Sequence, residues 1–309
     1  MAQRGSVVVK GRFGMGNRIA VMLSALRYAR EHDRALHVDW NDHTYYSPHV
    51  ADVFGALWAS PRFEPFEPAD FDGAHVFPPE WTGELHNFRN DLDAEIMPYG
   101  LAWSKPPDEL DEESAMLAEQ ADVIVLTRDG AKRRFEHLYS ELRPSPAIQN
   151  RIDRFALDRE WSKVIGVQVR HGNGEDYLTP ADTDWFFGRI ERLGVGAAAS
   201  PIFLATDSAS VVAEFEKRYS DVMHLPKWYP EIGSGPIHHH PNQPDRFDGG
   251  VDAIADMWLL ARCGHLLICD GGLGRTARHV SRLPPESVDV YPGKIYATVA
   301  EKSDWDNPI

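Results

Sequence analysis

Cysteine, long apolar runs and basic residues are all scarce in this chain, and each scarcity excludes a class of protein. The 309 residues include only two cysteines, Cys263 and Cys269, which are too few for a disulfide framework and lack the neighbouring ligands of a zinc motif. No window approaches the roughly 18–20 uninterrupted apolar residues that a membrane-spanning helix needs. The apolar run Ser6–Val9 is too short for a signal peptide. We therefore expect a cytoplasmic protein that does not span a membrane.

The charge balance is strongly acidic, with 47 Asp and Glu residues against 32 Lys and Arg residues and a formal net charge of −15. A nucleic-acid partner requires clustered Lys and Arg against its phosphates, so the balance argues against that class. A single anionic ligand remains compatible with it, held by a local group of arginines and backbone amides. The length suits one large or two medium domains. Nothing in the composition indicates an oligomeric state.

The N-terminal segment has the pattern of a βαβ unit. The β-branched run Ser6–Val9 predicts a strand, Gly11–Gly16 predicts a glycine-rich turn, and Asn17 to about His32 predicts an amphipathic helix. Ala35–Val38 predicts the second strand, and the unit as a whole implies a parallel sheet. The stretch Asp39–Ser104 is rich in Trp, Pro and Phe and predicts loops and short helices.

Strands and helices alternate more regularly in the C-terminal half, which predicts a second parallel sheet. The other predicted strands are Ala74–Phe77, Asp122–Leu126, Val164–Val169, Ile202–Ala205, Val222–Leu225, His265–Cys269 and Val288–Tyr291. The other predicted helices are Glu109–Gln120, Ala131–Leu142, Pro146–Phe155, Pro180–Leu193, Ser208–Tyr219, Asp252–Arg262 and Leu273–Leu283. We expect two Rossmann-like α/β lobes facing a cleft, formed by residues 1–150 and 151–309. By its length, Pro226–Gly250 predicts a mobile lid or an acceptor loop.

The clearest chemical pattern follows the buried strand Ile165–Val169. This strand brings Arg170 and His171 to its C-terminal end, where open α/β sheets bind their ligands. The guanidinium of Arg170 is a planar fork that suits phosphate oxygens. The turn Gly172–Gly174 can present backbone N–H groups to an anion, and the acidic pair Glu175–Asp176 follows it. The pattern alone indicates an anion site, although an ordinary strand-to-helix loop would look the same.

The run G-V-Q-V-R-H-G-N-G-E-D at Gly166–Asp176 resembles the arginine motif of NodZ-type α-1,6-fucosyltransferases and, more distantly, that of the eukaryotic core α-1,6-fucosyltransferases. Further segments resemble the same family in order and spacing, so that the similarity spans nearly the whole chain. They are Gly11–Arg18 (the N-terminal glycine loop), Arg27–Trp40 (the next strand), Ile202–Ser208 (the nucleotide-binding strand end), and Met257–Cys263 with Gly271–Arg278 (the last motif).

The resemblance implies a GT-B-like glycosyltransferase with GDP-fucose as donor substrate, inversion at the anomeric carbon, no metal or other cofactor, and an oligosaccharide acceptor. It implies that Arg170 binds the β-phosphate and neutralises the departing GDP. Asp207 would accept hydrogen bonds from guanine. The implied donor-binding residues are Gly14, Gly16, Asn17, Gln168, Arg170, His171, Gly172, Asn173, Asp207, Ser208, Gly272, Leu273 and Gly274. Gly14 and Gly16 would close over the diphosphate, and Gly272 to Gly274 would contact phosphate through amides at a helix N-terminus.

An inverting transfer also needs a general base for the acceptor hydroxyl, in line with the departing phosphate. Glu175 and Asp176 both follow Arg170 closely enough to serve. We prefer Glu175, because Asp176 could equally cap the following helix.

Two other functions stay open. Gly14-x-Gly16-x-x-x-Ala20, with Asp39 at the end of the next strand, fits the dinucleotide fingerprint of an NAD(P)-dependent oxidoreductase. That hypothesis leaves Arg170–Asp176 and Thr206–Ser208 unexplained. The other alternative is a non-catalytic nucleotide- or glycan-binding relative, suggested by Gln168, where the family usually has histidine, and by the glycine-rich last motif.

Two patterns imitate metal sites. Consecutive residues such as His238–His240 cannot all face one ion, so we interpret them as loop residues. We interpret the three Asp-x-Asp pairs as cap or surface residues. These pairs are Asp91–Asp93, Asp182–Asp184 and Asp304–Asp306.

Overall fold

A computed structural model of the chain shows an α/β protein with two compact units. The structure describes residues 5–11, 13–59, 62–87, 105–129, 135–175, 178–193 and 200–296. Unit 1 comprises residues 1–145 with 245–247, and unit 2 comprises residues 146–244 with 248–309. Each unit contains one sheet, and every strand pair in both sheets is parallel. The prediction of an α/β protein with parallel sheets is therefore confirmed.

Unit 1 has a four-stranded sheet. Its strands are β1 (Ser6–Lys10), β2 (Ala35–Asp39), β3 (Val76–Phe77) and β4 (Val123–Leu126), and its helices are α1 (Met15–Glu31), α2 (Val53–Leu57) and α3 (Glu112–Glu119). The strands lie in the order β2-β1-β4-β3. Every residue of β1, β2 and β4 is buried, as expected for parallel strands covered on both faces.

Helix α1 follows the predicted glycine turn and covers the sheet. The apolar positions that predicted the helix are buried, including Ile19, Met22, Leu23 and Leu26. A small hydrophobic core lies against β1 and β4, where Trp81 and Phe66 pack with Val8 and Val125. Aromatic residues of the segment after β2 thus bury the β-branched residues of these strands.

Unit 2 has a five-stranded sheet. Its strands are β5 (Ile165–Val169), β6 (Ile202–Thr206), β7 (Val222–Met223), β8 (His265–Ile268) and β9 (Val288–Val290). Its helices are α4 (Pro146–Phe155), α5 (Thr183–Arg192), α6 (Ala209–Arg218), α7 (Arg246–Leu260) and α8 (Gly272–Ser281). The order β7-β6-β5-β8-β9 corresponds to 3-2-1-4-5, the first five strands of the classic Rossmann order 3-2-1-4-5-6.

Two predicted helices differ most from the structure. Helix α7 begins at Arg246, six residues before the predicted start at Asp252, because the Asp245 carboxylate accepts a hydrogen bond from Phe247 N at 2.8 Å and starts the helix early. Residues 136–141 form a 3-10 helix instead of the end of the predicted α-helix Ala131–Leu142. Pro144 lies just beyond it, and the Ser140 hydroxyl bonds the His137 carbonyl, so the segment turns tightly.

Within the described ranges, no helix is both long and apolar enough to cross a bilayer.

Candidate functional site

The C-terminal ends of three neighbouring strands lie side by side in unit 2. Strand β5 is central, and its register pairs Val169 with Thr206 of β6 and Gln168 with Ile268 of β8. Arg170 and Asp207 therefore leave the sheet at the same edge. This is the edge, on either side of the first strand, where Rossmann-type sheets bind nucleotides.

Arg170 is held by two carboxylates. Its Nη1 donates to Asp207 Oδ2, and its Nη2 donates to Glu175 Oε1 at 3.0 Å. The Tyr296 hydroxyl is also hydrogen-bonded to Arg170, and burial raises the pKa of that hydroxyl. The Arg170 side chain keeps 15% of its surface exposed, so part of the guanidinium faces solvent. The arginine is thus fixed in place and still accessible to a ligand.

The same two carboxylates organise the turn that follows β5. Asp207 accepts hydrogen bonds from the backbone N–H groups of His171 at 2.9 Å and Gly172 at 3.0 Å. Glu175 Oε2 accepts from the Asn173 backbone N–H, and Asn173 Nδ2 donates to the Asp207 carbonyl at 2.9 Å. Asn173 Oδ1 is buried and has no partner among the described residues.

Glycines allow the turn to pack against a second loop. Gly172 and Gly174 have φ of +74° and +95°, in the left-handed region that favours glycine. A Cβ on Gly174 would lie 2.8 Å from the Cα of Gly233, and Gly235 N donates to the Asn173 carbonyl at 3.0 Å. Part of the predicted lid or acceptor loop is therefore docked on the arginine turn.

Gln168 and Gly274 join the ends of β5 and β8. The Gln168 side chain is buried, and its Oε1 accepts a hydrogen bond from Cys269 N at 3.1 Å. A Cβ on Gly274 would lie 2.9 Å from Gln168 Oε1, so the helix passes close to this amide. In the described structure the Gln168 amide oxygen supports the backbone of the strand end.

Helix α8 presents its N-terminus at this edge. Gly272, Leu273 and Gly274 form its first turn, and its N-cap residue, Gly271, makes no side-chain capping hydrogen bond. The first-turn N–H groups have no intrahelical acceptors and carry the positive end of the helix dipole. Ser208 occupies the equivalent N-cap position of α6, with its hydroxyl 2.8 Å from that of Ser210.

The glycine loop of unit 1 is held by a buried arginine. Gly14 is the N-cap of α1, Gly16 is half-buried and Asn17 is exposed. Arg18 lies beneath the loop with a fully buried side chain; its Nε donates to the Phe13 carbonyl at 2.8 Å. Phe13 itself has φ of +59°, which the arginine contact helps to hold.

Arg18 is paired with a carboxylate and stacked on aromatic rings. Its Nη2 donates to Asp42 Oδ2 at 2.6 Å, and its guanidinium lies 4.9 Å from the ring centre of Tyr45. Burial raises the pKa of Tyr45 to about 12, and its hydroxyl is hydrogen-bonded to the backbone of Met15. The start of α1 is thereby fixed from below.

Asp39, the acidic residue of the dinucleotide fingerprint, is engaged inside unit 1. Its carboxylate accepts from Lys10 Nζ at 2.6 Å and from Asn41 N at 3.2 Å, and its side chain is 1% exposed. A ribose hydroxyl could not reach this carboxylate without displacing the lysine. The geometry argues against the oxidoreductase hypothesis.

A buried ion pair in unit 2 escaped the sequence analysis. Lys227 Nζ donates to Asp256 Oδ2 at 2.5 Å, while Asp256 Oδ1 and the Tyr229 hydroxyl have no partner among the described residues. Burial raises the pKa of Asp256, and burial also raises that of Tyr229, which is close enough to Asp207 to be affected by its charge. The available signal was Asp256 itself, an acid flanked by the apolar residues of the second half of α7.

The remaining sequence candidates fall into two groups. Asp176 lies outside the described residues, as do Asp91, Asp93, Asp304 and Asp306. Asp182 caps helix α5 by accepting from Asp184 N at 3.0 Å, and His240 bonds the Ser234 hydroxyl at 3.0 Å. Among the residues that the structure describes, no group of three or more His, Cys, Asp or Glu side chains could hold a metal ion.

Known proteins resemble this chain over most of its length. The family model described as Nodulation protein Z (NodZ) matches residues 115–282. Nodulation protein Z of Bradyrhizobium diazoefficiens is 27% identical over 337 residues, covering 98% of this chain and 82% of the relative. Nodulation protein Z of Sinorhizobium fredii is 27% identical over 290 residues, covering 83% of this chain and 84% of the relative.

Solved structures share the fold. The crystal structure of NodZ alpha-1,6-fucosyltransferase co-crystallized with GDP has a TM-score of 0.59 at 22% identity, covering 89% of this chain and 92% of that one. POFUT1 in complex with GDP-fucose has a TM-score of 0.54 at 12% identity, covering 95% and 99%. At these identities the likeness concerns architecture, which agrees with the GT-B-like fold expected from the sequence.

Proposed function

This chain belongs to the NodZ family, and from that premise we propose that it is an inverting glycosyltransferase that transfers fucose from GDP-fucose to a hydroxyl of an oligosaccharide acceptor, in an α-1,6-type linkage. The observation that supports this most strongly is Arg170 at the end of β5, where its guanidinium is held in place and stays partly exposed. GDP and GDP-fucose are the ligands named for the NodZ structures. The acceptor is proposed as a glycan without further definition.

Arg170 is the proposed catalytic residue. Fucose leaves the donor as the bond to the β-phosphate breaks, and negative charge develops on the GDP oxygens. A guanidinium already fixed beside those oxygens stabilises this charge in the transition state, which is usually the largest single catalytic contribution. The first-turn amides of α8, at Gly272 to Gly274, would bind the same diphosphate through backbone N–H groups. Both groups belong to unit 2.

Several donor-binding assignments stay predictions from the sequence. They are Gly14, Gly16 and Asn17 at the start of α1, and Gln168, His171, Gly172, Asn173 and Ser208 around the ends of β5 and β6. Glu175 and Asp176 stay the candidates for the general base.

For the guanine contact, the structure favours Asp256 over the predicted Asp207. Both Asp207 oxygens already accept hydrogen bonds, from Arg170, His171 and Gly172. Asp256 Oδ1 is buried without a described partner, and a buried acceptor of this kind suits the N1–H and N2 amino donors of guanine. Lys227 Nζ, which lies beside Asp256, would donate a hydrogen bond to the O6 atom of guanine.

Inosine diphosphate, which lacks the N2 amino group, tests this contact. The native protein is expected to bind it about tenfold more weakly than GDP, because a buried acceptor loses its donor. The preference is expected to disappear in Asp256→Asn. An unchanged preference in that variant would assign guanine recognition elsewhere.

The donor class is tested by thermal unfolding with GDP, UDP and NAD. A selective rise of several degrees with GDP is expected, since only a ligand that binds the folded state stabilises it. Stabilisation by NAD with no response to GDP would restore the oxidoreductase hypothesis.

Transfer is also expected to persist in EDTA, because Arg170 supplies the positive charge.

The non-catalytic alternative makes a separate prediction. It requires GDP binding with no fucose transfer and no slow hydrolysis of GDP-fucose. Hydrolysis that is lost in Arg170→Ala would contradict it.

A further inference from the structure

Glu175 lies where a general base would be ineffective. Its side chain has no exposed surface, and both of its oxygens accept hydrogen bonds. One oxygen accepts from Arg170 Nη2 at 3.0 Å, and the other accepts from the Asn173 backbone N–H. To take a proton from an acceptor hydroxyl, the carboxylate would have to leave the arginine and be exposed to the sugar.

Asp207 makes the same two kinds of contact from the opposite side. Its Oδ2 accepts from Arg170 Nη1 and from Gly172 N, and its Oδ1 accepts from His171 N. Each carboxylate thus bonds one Nη group of the arginine and at least one amide of the turn. Asp207 comes from the end of β6 and Glu175 from the turn itself, so the arrangement depends on the β5–β6 register.

We propose that Glu175 and Asp207 are a pair of positioning residues that hold the Arg170 guanidinium ready for a diphosphate while they fix the turn after β5, and that Glu175 is not the general base. The proposal rests on the proposed function, because it assumes a nucleoside diphosphate as ligand. A long arginine side chain has many rotamers, and fixing it before the ligand arrives strengthens binding. A lysine could not bond both carboxylates in this fork geometry.

A purely electrostatic role and a positioning role for Glu175 predict opposite changes in GDP affinity when its charge is removed. With both carboxylates ionised, Arg170 and its two partners carry a formal charge of −1, so neutralising Glu175 should strengthen the attraction for GDP if charge alone mattered. If Glu175 positions the arginine, Glu175→Gln should weaken GDP binding instead. The glutamine is isosteric and keeps one acceptor oxygen, which limits any effect on folding.

Calorimetric titration with GDP tests the pair. We expect Glu175→Gln and Asp207→Asn each to bind GDP about tenfold more weakly than the native protein. In the background of Arg170→Ala, adding Glu175→Gln should change the GDP affinity less than twofold, because the turn amides donate to the carboxylates and only the arginine is left to bind the diphosphate. Independent, additive losses would overturn the proposal.

Asp289→Asn is the matched control. Asp289 pairs with Arg189 in the same unit, through a partly buried ion pair that does not involve the residues around Arg170. We expect its GDP affinity to stay within twofold of native. Thermal unfolding of every variant without ligand checks that each one folds.

Kinetics separate a positioning residue from a base. If Glu175 positions Arg170, Glu175→Gln should raise the KM for GDP-fucose and lower the rates of transfer and of donor hydrolysis in parallel. The fall of kcat at low pH should remain. If Glu175 is the base, the variant should bind GDP normally, lose kcat for transfer and lose the fall of kcat at low pH. The second pattern would overturn the proposal.

GDP binding by the native protein distinguishes an error in the proposed function from an error in the roles of Glu175 and Asp207. A native protein that does not bind GDP would remove the donor class and the inference together. A native protein that binds GDP, with variants that bind as tightly or more tightly, would remove the inference alone.

Discussion

Gly174 is the residue at which the arginine turn and the loop after β7 come closest. Its φ is +95°, and the Cα of Gly233 lies 2.8 Å from the position that a Cβ would occupy, so there is room only for hydrogen. Gly188, by contrast, lies inside helix α5, where an added Cβ would meet only Arg192 Nη2 at 3.9 Å. An added methyl group is therefore expected to destabilise the fold at Gly174 but not at Gly188.

We predict that Gly174→Ala lowers the free energy of unfolding by about 1–3 kcal/mol, because the alanine is strained and one of the two backbones must move. Gly188→Ala should raise it by about 0.5–1 kcal/mol, since alanine favours the helix interior. Urea unfolding of both variants measures the difference. Equal effects would mean that the two loops are not packed as described.

The two thiols give a prediction on pH. Burial raises the pKa of Cys269 to about 12 and raises that of Cys263 as well. An unfolded thiol has a pKa of about 8.5, so the unfolded chain loses these protons first as pH rises. The free energy of unfolding should therefore fall between pH 8.5 and pH 10, by up to about 1.4 kcal/mol per thiol and pH unit.

Urea unfolding of native protein and of a Cys263→Ala, Cys269→Ala double variant at both pH values checks this effect. The double variant should show a shallower fall. A thiol reagent at pH 8 should label neither cysteine in the folded protein and both in urea. Rapid labelling without urea would contradict the described burial.

The position of a single residue could be predicted from the sequence where the pattern of its immediate neighbours determines it. Arg170 was found because a buried strand ends just before it. Its pairing with Asp207 was not predicted, since it depends on the lateral register of β5 and β6, which no local pattern encodes. The Lys227–Asp256 pair was missed for the same reason: a loop and a helix 29 residues apart form it.

At the scale of elements, the start of α1 depends on an ion pair that lies beneath it. Arg18 has no exposed side-chain surface, and Asp42 neutralises it at 2.6 Å. Arg18 Nη1 has no hydrogen-bond partner among the described residues, so the arginine relies heavily on that carboxylate.

We predict that Asp42→Ala destabilises the protein by about 3–5 kcal/mol, because it leaves a buried guanidinium without its counter-charge. Removing both charges in Arg18→Met, Asp42→Leu should recover much of this loss. Asp153→Ala, which breaks an exposed pair with Arg262, is the control and should cost less than about 1 kcal/mol. Urea unfolding measures all three, and a small effect of Asp42→Ala would contradict the buried pair.

Elements were predicted well where one physical signal dominates. Strands β4, β5 and β6 are fully buried and mostly apolar, and their observed bounds differ from the predicted ones by one residue at most at each end. The predicted start of helix α7 was too late because its first residues fell within the predicted loop Pro226–Gly250. The capping Asp245 and the buried residues from Gly250 onward favour a helix there. Strand β7 ends at Met223, earlier than its apolar pattern predicted, because only Val222 and Met223 pair with β6.

At the scale of the whole chain, the strand order of unit 2 concentrates ligand contacts at one edge of one sheet. Strand β5 lies at the centre, between β6 and β8, while β9 is at the margin. A nucleotide bound after β5 would contact the ends of its neighbours and leave the marginal strand untouched.

We predict that GDP slows amide hydrogen exchange in residues 170–175, 206–208 and 270–274 and leaves residues 288–290 unchanged. Bound ligand suppresses local opening only where it contacts the chain. UDP is the control and should protect these amides less. Protection spread evenly over unit 2 would indicate global stabilisation without a site at this edge.

The loop docked on the arginine turn meets it at two glycines, through a hydrogen bond from Gly235 N to the Asn173 carbonyl and the close approach of Gly233 to Gly174. Gly233 and Gly235 both adopt left-handed conformations, while the side chain of Ile232 between Glu231 and Gly233 is 72% exposed. Evolution can therefore change the outward side chains of this loop without disturbing Arg170, as long as the two glycines stay. In an alignment of relatives, we expect fixed glycines among varied neighbours, and a designer seeking new acceptors can randomise positions 231 and 232 first, since Ser234 bonds His240.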